Sequence, residues 1–246
     1  QKGLSEKRVA LLHGVTSSGK TEIYTHLIEE RLSRGEDVLF LVPEISLTTQ
    51  LVERMRGLFG ESVMVYHSKL TPQQRTRLYT DMLSSESGHF VVGARSALFL
   101  PYKKLGLVVV DEEHDSSYKQ TEPNPRYNGR DAAIMLASMH GAKCVLGSAT
   151  PSLESYANYL SGKYAYALLT ERYGGVEMPD IVISDTVRNV KRNERKLHFN
   201  KELLDAIADC LENGEQVILF QNRRGYSPYM ECPSCGYSAR CPHCNV

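Results

Sequence analysis

The sequence predicts an α/β fold, a parallel sheet with helices on both faces, and three observations carry that expectation. Short apolar runs such as Asp37 to Val42 and Leu105 to Val110 alternate with stretches of helical periodicity, as strands buried on both faces do. Gly14-Val15-Thr16-Ser17-Ser18-Gly19-Lys20-Thr21 fits the phosphate-loop pattern Gly-x4-Gly-Lys-[Ser/Thr] at every fixed position. The run that closes at Val110 ends abruptly in Asp111-Glu112-Glu113-His114.

The elements follow in order. Val9 to Leu12 reads as the first strand. Glu22 to Arg34 has apolar residues at Ile23, Leu27, Ile28 and Leu32, a helical spacing, and Gly35 is placed to cap it. Pro43 stops the second strand, and Glu44-Ile45-Ser46 leads into a helix with Leu47, Leu51, Met55, Leu58 and Phe59 on one face. Ser62 to Tyr66 is a third strand. Thr71-Pro72 opens a helix, with an N-cap and a proline at the first helical position, that runs to about Ser84. After the loop from Ser84 to Gly88, His89 to Val92 and Leu105 to Val110 are strands four and five. A long polar loop precedes a helix from Gly129 to Met139, a sixth strand from Lys143 to Leu146, and a helix from Leu153 to Leu160.

Composition shifts after about Leu169. Residues 1–170 form the first unit, and 171–199 read as a linker holding one short strand, Ile181 to Ser184. The linker carries a basic cluster, Arg188, Lys191, Arg192, Arg195 and Lys196, read as a solvated loop ahead of a nucleic-acid patch. Residues 200–228 open a second α/β unit, with a helix from Asn200 to Asn213 capped by Gly214 and a buried strand from Gln216 to Phe220. Asn222 to Tyr226 follows that strand, where open α/β sheets bind ligands. Residues 229–246 are cysteine-rich. The chain begins at Gln1 and ends at Val246, two residues past a cysteine, and the expectation is an internal piece of a longer protein.

Apolar residues make up 41% of the 246 and charged residues 24%, an ordinary globular composition. The 29 basic and 29 acidic residues cancel, so any basic footprint for nucleic acid is local. No apolar run approaches membrane-spanning length, and a cytoplasmic protein with no membrane partner is expected. Cys144 and Cys210 fall in apolar strand and helix patterns and read as small core residues.

The chemistry starts at the phosphate loop. Gly14, Thr16, Ser17, Ser18 and Gly19 offer backbone N–H groups at a helix N-terminus, where the dipole favours phosphate. Lys20 reaches the β- and γ-phosphates of ATP, and Thr21 ligates Mg²⁺. Such a site needs a carboxylate at the end of a neighbouring strand to hold Mg²⁺ through its water shell, and Asp111 fits. Glu112 is assigned to orient the attacking water. Gly147-Ser148-Ala149-Thr150-Pro151 ends another apolar strand. Ser148 and Thr150 can hydrogen-bond the acidic motif and report the nucleotide state, while Thr150 ahead of Pro151 also reads as a helix cap.

GVTSSGKT, DEEH and GSATP, in this order and spacing, resemble motifs I, II and III of superfamily 2 helicases. Together with LVPEISLT, VGARSALFLP, DEEHDSSYKQ, PRYNGRDAA and NRRGY before the cysteine pairs, they resemble the primosomal replication-restart helicases along essentially the whole chain. The resemblance implies a RecA-like first lobe, the start of a second RecA-like lobe with a cysteine-rich zinc-binding insertion, and ATP-dependent 3′-to-5′ DNA unwinding at stalled forks. It implies single-stranded and forked DNA, other primosome proteins and single-strand-binding proteins as partners. Pro43, Glu44, Thr48, Gly93, Arg95 and Ser96 then line the DNA backbone path, with a surface ion pair as the alternative for Arg95. His114 couples the ATP site to DNA or is a structural histidine. The loop from Ser116 to Tyr127 offers Tyr118, Lys119, Arg126 and Tyr127 as stacking faces and cations for single strands, and its length without regular structure argues for function. Ser17 departs from the family, where glycine is frequent, and demands negative φ or modest strain.

Cys232, Cys235, Cys241 and Cys244 form two Cys-x2-Cys pairs, read as Zn²⁺ ligands. Only five residues separate the pairs, and the resembled family binds two zinc ions with eight cysteines there. The expectation is an incomplete site or one four-cysteine site. The later motifs are missing, so the isolated chain is expected to bind nucleotide weakly and to hydrolyse it very slowly. A different superfamily 2 DNA translocase and a nucleotide-bound zinc scaffold for replication proteins are the alternatives.

Overall fold

The computed structural model describes residues 6–43, 49–60, 63–85, 88–175, 177, 179–184, 195–196 and 199–220. The chain divides into two compact units, Gln1–Met178 and Pro179–Val246. The first is a seven-stranded sheet in the order β3-β4-β2-β5-β6-β1-β7, with every neighbouring pair parallel. In chain order its strands are β1 (Val9–Gly14), β2 (Asp37–Leu41), β3 (Met64–Tyr66), β4 (Phe90–Gly93), β5 (Leu105–Val110), β6 (Lys143–Ser148) and β7 (Ala165–Leu169). The helices are α1 (Lys20–Leu32), α2 (Thr49–Phe59), α3 (Pro72–Ser84), α4 (Gly129–Met139) and α5 (Leu153–Leu160).

Alternation along the strands builds two cores. Val38, Phe40, Leu107 and Val109 point to the face covered by Tyr24, Leu27 and Ile28 of α1 and Met55 of α2. Leu39, Leu41, Val108 and Val110 point to the other, covered by Met82 of α3 and Ala133 and Ala137 of α4. Both faces are therefore dry, as the near-continuous apolar runs demanded. Each fully buried Leu, Val or Phe contributes about 1.5–3 kcal/mol. Cys144 lies in this core, and burial pushes its thiol up to about 12. Cys210 is only half-buried, on a helix with no fully buried residue.

Helix boundaries follow their capping chemistry. Thr71 accepts from the Gln74 N–H while the Gln74 side chain accepts from the Thr71 N–H, a reciprocal cap with Pro72 behind it. Ser152, not Thr150, caps α5, accepting from the Ser155 N–H, which corrects the capping role expected at Thr150. Asp37 pins the opposite end of the sheet. Its carboxylate accepts from His89 N–H (2.8 Å), Lys103 N–H (3.0 Å) and Lys104 N–H (3.1 Å) and meets His89 Nδ1 at 2.9 Å.

Three expectations are corrected. β7 forms a seventh strand beside β1, where the sequence reading placed none. Ile181 to Ser184 is irregular and exposed rather than a strand. Gln216 to Phe220 is also irregular, with Ile218 93% and Phe220 85% exposed. A buried strand needs ladder partners, and among the described residues the second unit supplies only β8 (Arg195–Lys196) and β9 (Phe199–Asn200), which pair with each other. That unit also holds α6 (Lys201–Glu212), close to the expected span, followed by Gly214 at φ 72°. The Asn222 to Tyr226 segment expected to bind ligand, and Arg188, Lys191 and Arg192 of the linker's basic cluster, lie outside the described residues. Among the described residues no helix is long and apolar enough to cross a membrane.

Candidate active site and nucleic-acid path

β5, β6 and β1 are adjacent and parallel, so the acidic turn, the Gly-Ser-Ala-Thr turn and the phosphate loop all emerge at one edge of the sheet. With strands about 4.8 Å apart, the acids and the loop stand about 10 Å from each other across β6. Helix α1 begins at Lys20, two residues earlier than its apolar spacing suggested. Its N-cap, Gly19, takes φ 85°, a left-handed conformation that glycine adopts freely, and supplies no side chain to cap the helix. The first N–H groups of α1 are left to an outside acceptor.

The residues fit a nucleotide triphosphate. Ser18 Oγ is buried without a hydrogen-bond partner, beside a helix N-terminus. The Lys20 ammonium donates to the Gly14 carbonyl at 2.8 Å and approaches that of Val15 at 3.5 Å, which keeps it over the loop. Thr16 and Ser17 are exposed, and Thr21 is half-buried. Ser17 takes φ 62°, so the strained alternative holds rather than negative φ, and its carbonyl accepts from Tyr173 N–H at 2.8 Å.

The acidic turn is held from several sides. Asp111 N–H donates to Leu41 O, and Asp111 Oδ1 accepts from the Tyr24 hydroxyl at 2.9 Å. Burial pushes the Asp111 carboxyl above its ordinary value. The Tyr24 bond, the Glu112 N–H, Lys20 and His114 act against that push. Burial, then the Asp111 charge, raise Glu112 as well, again opposed by Lys20 and His114. A raised carboxylate is a better proton acceptor, which suits a water-orienting base. Glu112 itself sits at φ 46°, a conformation a non-glycine residue keeps only under surrounding constraint.

His114 bridges two motifs. Its Nδ1 meets Ser148 Oγ at 2.8 Å and Glu112 Oε2 at 3.7 Å, and its Nε2 meets Thr150 Oγ1 at 3.3 Å. Ser148 Oγ also accepts from Thr150 N–H at 2.9 Å. The expected link between the acids and the hydroxyl turn is present in this geometry.

Several of the residues expected to line a DNA path stand around one cavity. A cavity of about 140 Å³ is lined by Val42, Ser68, Arg95, Ser96, Ser117, Tyr118 and Gln120. Pro43 is buried next to it in sequence, and Gly93 ends β4 below Arg95. Arg95 donates to Ser117 O at 3.0 Å and lies 5.6 Å from the Tyr127 ring, and among the described residues it pairs with no acid. Tyr127 also meets exposed Phe99 edge-on. Lys119 and Arg126 are exposed.

Tyr118 is corrected: it is 1% exposed, and its hydroxyl donates to Asp111 O at 2.7 Å. Its ring packs in the core and presents no face to a base. The loop is also more ordered than expected. Ser116–Tyr118 is a 3-10 turn, Gln120 N–H donates to Tyr127 O at 2.8 Å, and Lys119 bridges Asn128. Glu44, Thr48, Cys232, Cys235, Cys241 and Cys244 lie outside the described residues, and no group of three metal-ligating side chains occurs among the described ones.

The sequence reading missed Tyr24, Glu113 and Arg130. Tyr24 had a signal, since it follows Lys20 by four residues and shares its helix face. Glu113 and Arg130 had none, being 17 residues apart with no local pattern between them.

A RecA-like parallel sheet whose phosphate loop faces an acid-ended strand and a hydroxyl turn defines the nucleotide-binding lobe of a helicase-type fold. The chain belongs to the DEAD/DEAH box helicase family, whose model matches residues 2–159. It is 46% identical over 241 residues to the replication restart protein PriA of Bacillus subtilis, across 98% of this chain and 30% of that protein. It is 46% identical over 236 residues to the PriA of Haemophilus influenzae, across 96% of this chain and 32% of that protein. The resemblance to replication-restart helicases is borne out, and the chain spans about a third of the length of the curated relatives it matches. The helicase domain of Pyrococcus furiosus Hef shares the fold, with a TM-score of 0.50 at 18% identity over 85% of this chain and 45% of that one.

Proposed function

We propose that the chain is the ATP-binding lobe of a replication-restart DNA helicase that couples ATP hydrolysis to 3′-to-5′ translocation and unwinding at stalled forks. One observation carries the reading: the phosphate loop with Lys20 and the Asp111–Glu112 turn leave the same end of the sheet, from β1 and β5 on either side of β6. Lys20 would hold the β- and γ-phosphates, and Thr21, with Asp111 acting through the water shell, would hold Mg²⁺. Bound Mg²⁺ supplies neutralisation of charge on the phosphoryl oxygens. Glu112 orients the attacking water and accepts its proton. His114, 3.7 Å from the Glu112 carboxylate and hydrogen-bonded to Ser148 and Thr150, carries the state of that site towards the turn. Arg95, Ser96, Lys119, Arg126 and Tyr127 contact the DNA backbone and bases without reading sequence. In this reading an arginine from a second lobe completes the stabilisation of the transition state.

Primosome proteins and single-strand-binding proteins are the proposed partners of the whole protein, in the cytoplasm. Cys232, Cys235, Cys241 and Cys244 are proposed to bind zinc as an incomplete or a single four-cysteine site, and two zinc ions per chain in a metal assay would exclude this.

The test is binding of a fluorescent ATP analogue with Mg²⁺. Binding is expected in the unaltered chain and in Glu112→Gln, and is expected to be lost in Lys20→Ala. Hydrolysis by the isolated 246 residues is expected to be very slow. Robust DNA-stimulated turnover by them would sink that part, and a strand-displacement assay on the complete protein tests polarity.

A further inference from the structure

Tyr24 is the residue that the nucleotide mechanism leaves unused. It is 1% exposed and packed against Phe40 at a ring separation of 5.7 Å, so its ring is an ordinary core side chain. Its hydroxyl is not. It reaches from the phosphate-loop helix, past the end of β6, to Asp111 Oδ1 at the end of β5. Phenylalanine would fill the same core volume, and only the hydroxyl needs a partner.

Gly147 makes the same point from the other side. A methyl group on Gly147 would overlap the Tyr24 hydroxyl outright, stand 2.8 Å from Tyr24 Cζ and 3.3 Å from Asp111 Oδ1. The glycine of the Gly-Ser-Ala-Thr turn is therefore the gap through which the hydroxyl passes to the carboxylate. β-Strand backbone of any residue type could end β6, and the hydroxyl's passage is what excludes a side chain there.

We propose that Tyr24 is a positioning residue for the metal-binding carboxylate, and that Gly147 is the residue that admits it. The inference rests on the reading of Asp111 as a Mg²⁺ ligand. One carboxylate oxygen is held by Tyr24, which fixes the plane of the carboxylate and leaves Oδ2 directed by that constraint. A hydrogen bond to a ligating carboxylate typically sets metal affinity by 10–100-fold. Because α1 begins at Lys20 and carries Tyr24 one turn later, the same helix places the phosphate-binding lysine and orients the metal-binding acid. Movement of the phosphate loop then alters both halves of the site together.

The experiment uses the 246-residue chain and a fluorescent ATP analogue, titrated with Mg²⁺ and separately in excess EDTA. Tyr24→Phe is expected to leave metal-free nucleotide affinity within about twofold and to raise the Mg²⁺ concentration for half-maximal enhancement about tenfold. Gly147→Ala is expected to raise it at least as much, since its methyl would displace the hydroxyl and also crowd Tyr24 Cζ. Unchanged far-UV circular dichroism and metal-free binding separate this from misfolding. Mg²⁺-linked binding that Tyr24→Phe leaves unmoved would overturn the inference alone. No Mg²⁺-linked binding in the unaltered chain would sink the functional reading and the inference with it.

Discussion

The Arg130 guanidinium donates to Glu113 Oε2 at 3.1 Å, and the Glu113 side chain has no exposure to solvent. The same carboxylate accepts from Ser152 N–H at 2.7 Å, Ser152 Oγ at 3.0 Å and Ser155 Oγ at 2.8 Å. Glu113 thus fastens the acidic turn to the start of α5, and Arg130 fastens both to the first turn of α4. Removing Arg130 strands the Glu113 charge in the interior, which costs about 3–5 kcal/mol, whereas removing Glu113 leaves Arg130 its bond to Asp131 Oδ1 at 2.9 Å. Arg130→Ala is expected to lower stability in urea by that order, and Glu113→Ala by less, because Asp131 still pairs with Arg130. The double variant should fall well short of the sum, because the stranded charge is then gone.

Tyr118 makes a second attachment to that turn. Its hydroxyl donates to the Asp111 carbonyl at 2.7 Å from a fully buried ring. Tyr118→Phe keeps the ring and leaves a buried carbonyl short of a donor, a cost of about 1–3 kcal/mol. Equilibrium unfolding measures the loss. A change below about 0.5 kcal/mol would mean that water replaces the hydroxyl, with the turn open to solvent there.

Ser17 gives an expectation of opposite sign. At φ 62° its side chain carries left-handed strain of about 1–2 kcal/mol, which glycine would relieve. Glycine adds freedom to the unfolded chain worth about 0.4–1 kcal/mol against that gain. Ser17→Gly is therefore expected to stabilise by about 0.5–1 kcal/mol in thermal unfolding.

Asp37 governs acid stability at the far end of the sheet. Burial pushes its carboxyl up, but hydrogen bonds from the backbone N–H groups of His89 and Lys104 and from the His89 ring outweigh it and hold the carboxyl below its ordinary value. A depressed carboxylate contributes stability that is fully present above its unfolded value and is lost as pH falls through the folded one. Asp37→Asn is expected to destabilise at neutral pH and to flatten the acid limb below the ordinary carboxylate range. Urea midpoints across pH 2–7 check both (a pH range chosen to span the unfolded value of about 3.9).

The sheet was legible because its strands are apolar on both sides, so composition alone marks them. Phosphate loop and acids were legible because each stands where an apolar run stops. β7 was not: Ala165 to Leu169 is a half-exposed edge strand with two alanines, weak in strand propensity. Gln216 to Phe220 misled for the converse reason, since Ile218-Leu219-Phe220 has a core composition but no strand beside it among the described residues. Tyr118 was read as a stacking face because its loop resembles the aromatic-rich loop of replication-restart helicases. The feature that sends it inward, the Asp111 carbonyl seven residues earlier, is visible only once the turn after β5 is folded.

Arg95 separates a phosphate contact from a loop brace. Its guanidinium uses one N–H on the Ser117 carbonyl and lies 5.6 Å from the Tyr127 ring. A guanidinium has five donors, so the bond to Ser117 leaves capacity for a phosphate oxygen at the cavity that Arg95 and Ser96 line. The stacking on a half-exposed tyrosine is worth about 0.5–1 kcal/mol and orders the loop whether or not DNA is bound. A brace and a phosphate contact differ in their response to salt. Each phosphate neutralised on a single strand contributes about 0.7 to the slope of log affinity against log salt. Arg95→Ala is expected to weaken binding of an oligothymidylate and to reduce that slope by about 0.7, read by fluorescence anisotropy over a salt series. Arg95→Lys keeps the charge and loses the fork, so it should retain the slope while losing part of the affinity. A slope unchanged in Arg95→Ala would leave Arg95 as a brace for the aromatic loop and move the phosphate contact to Lys119 or Arg126, the exposed cations of that loop.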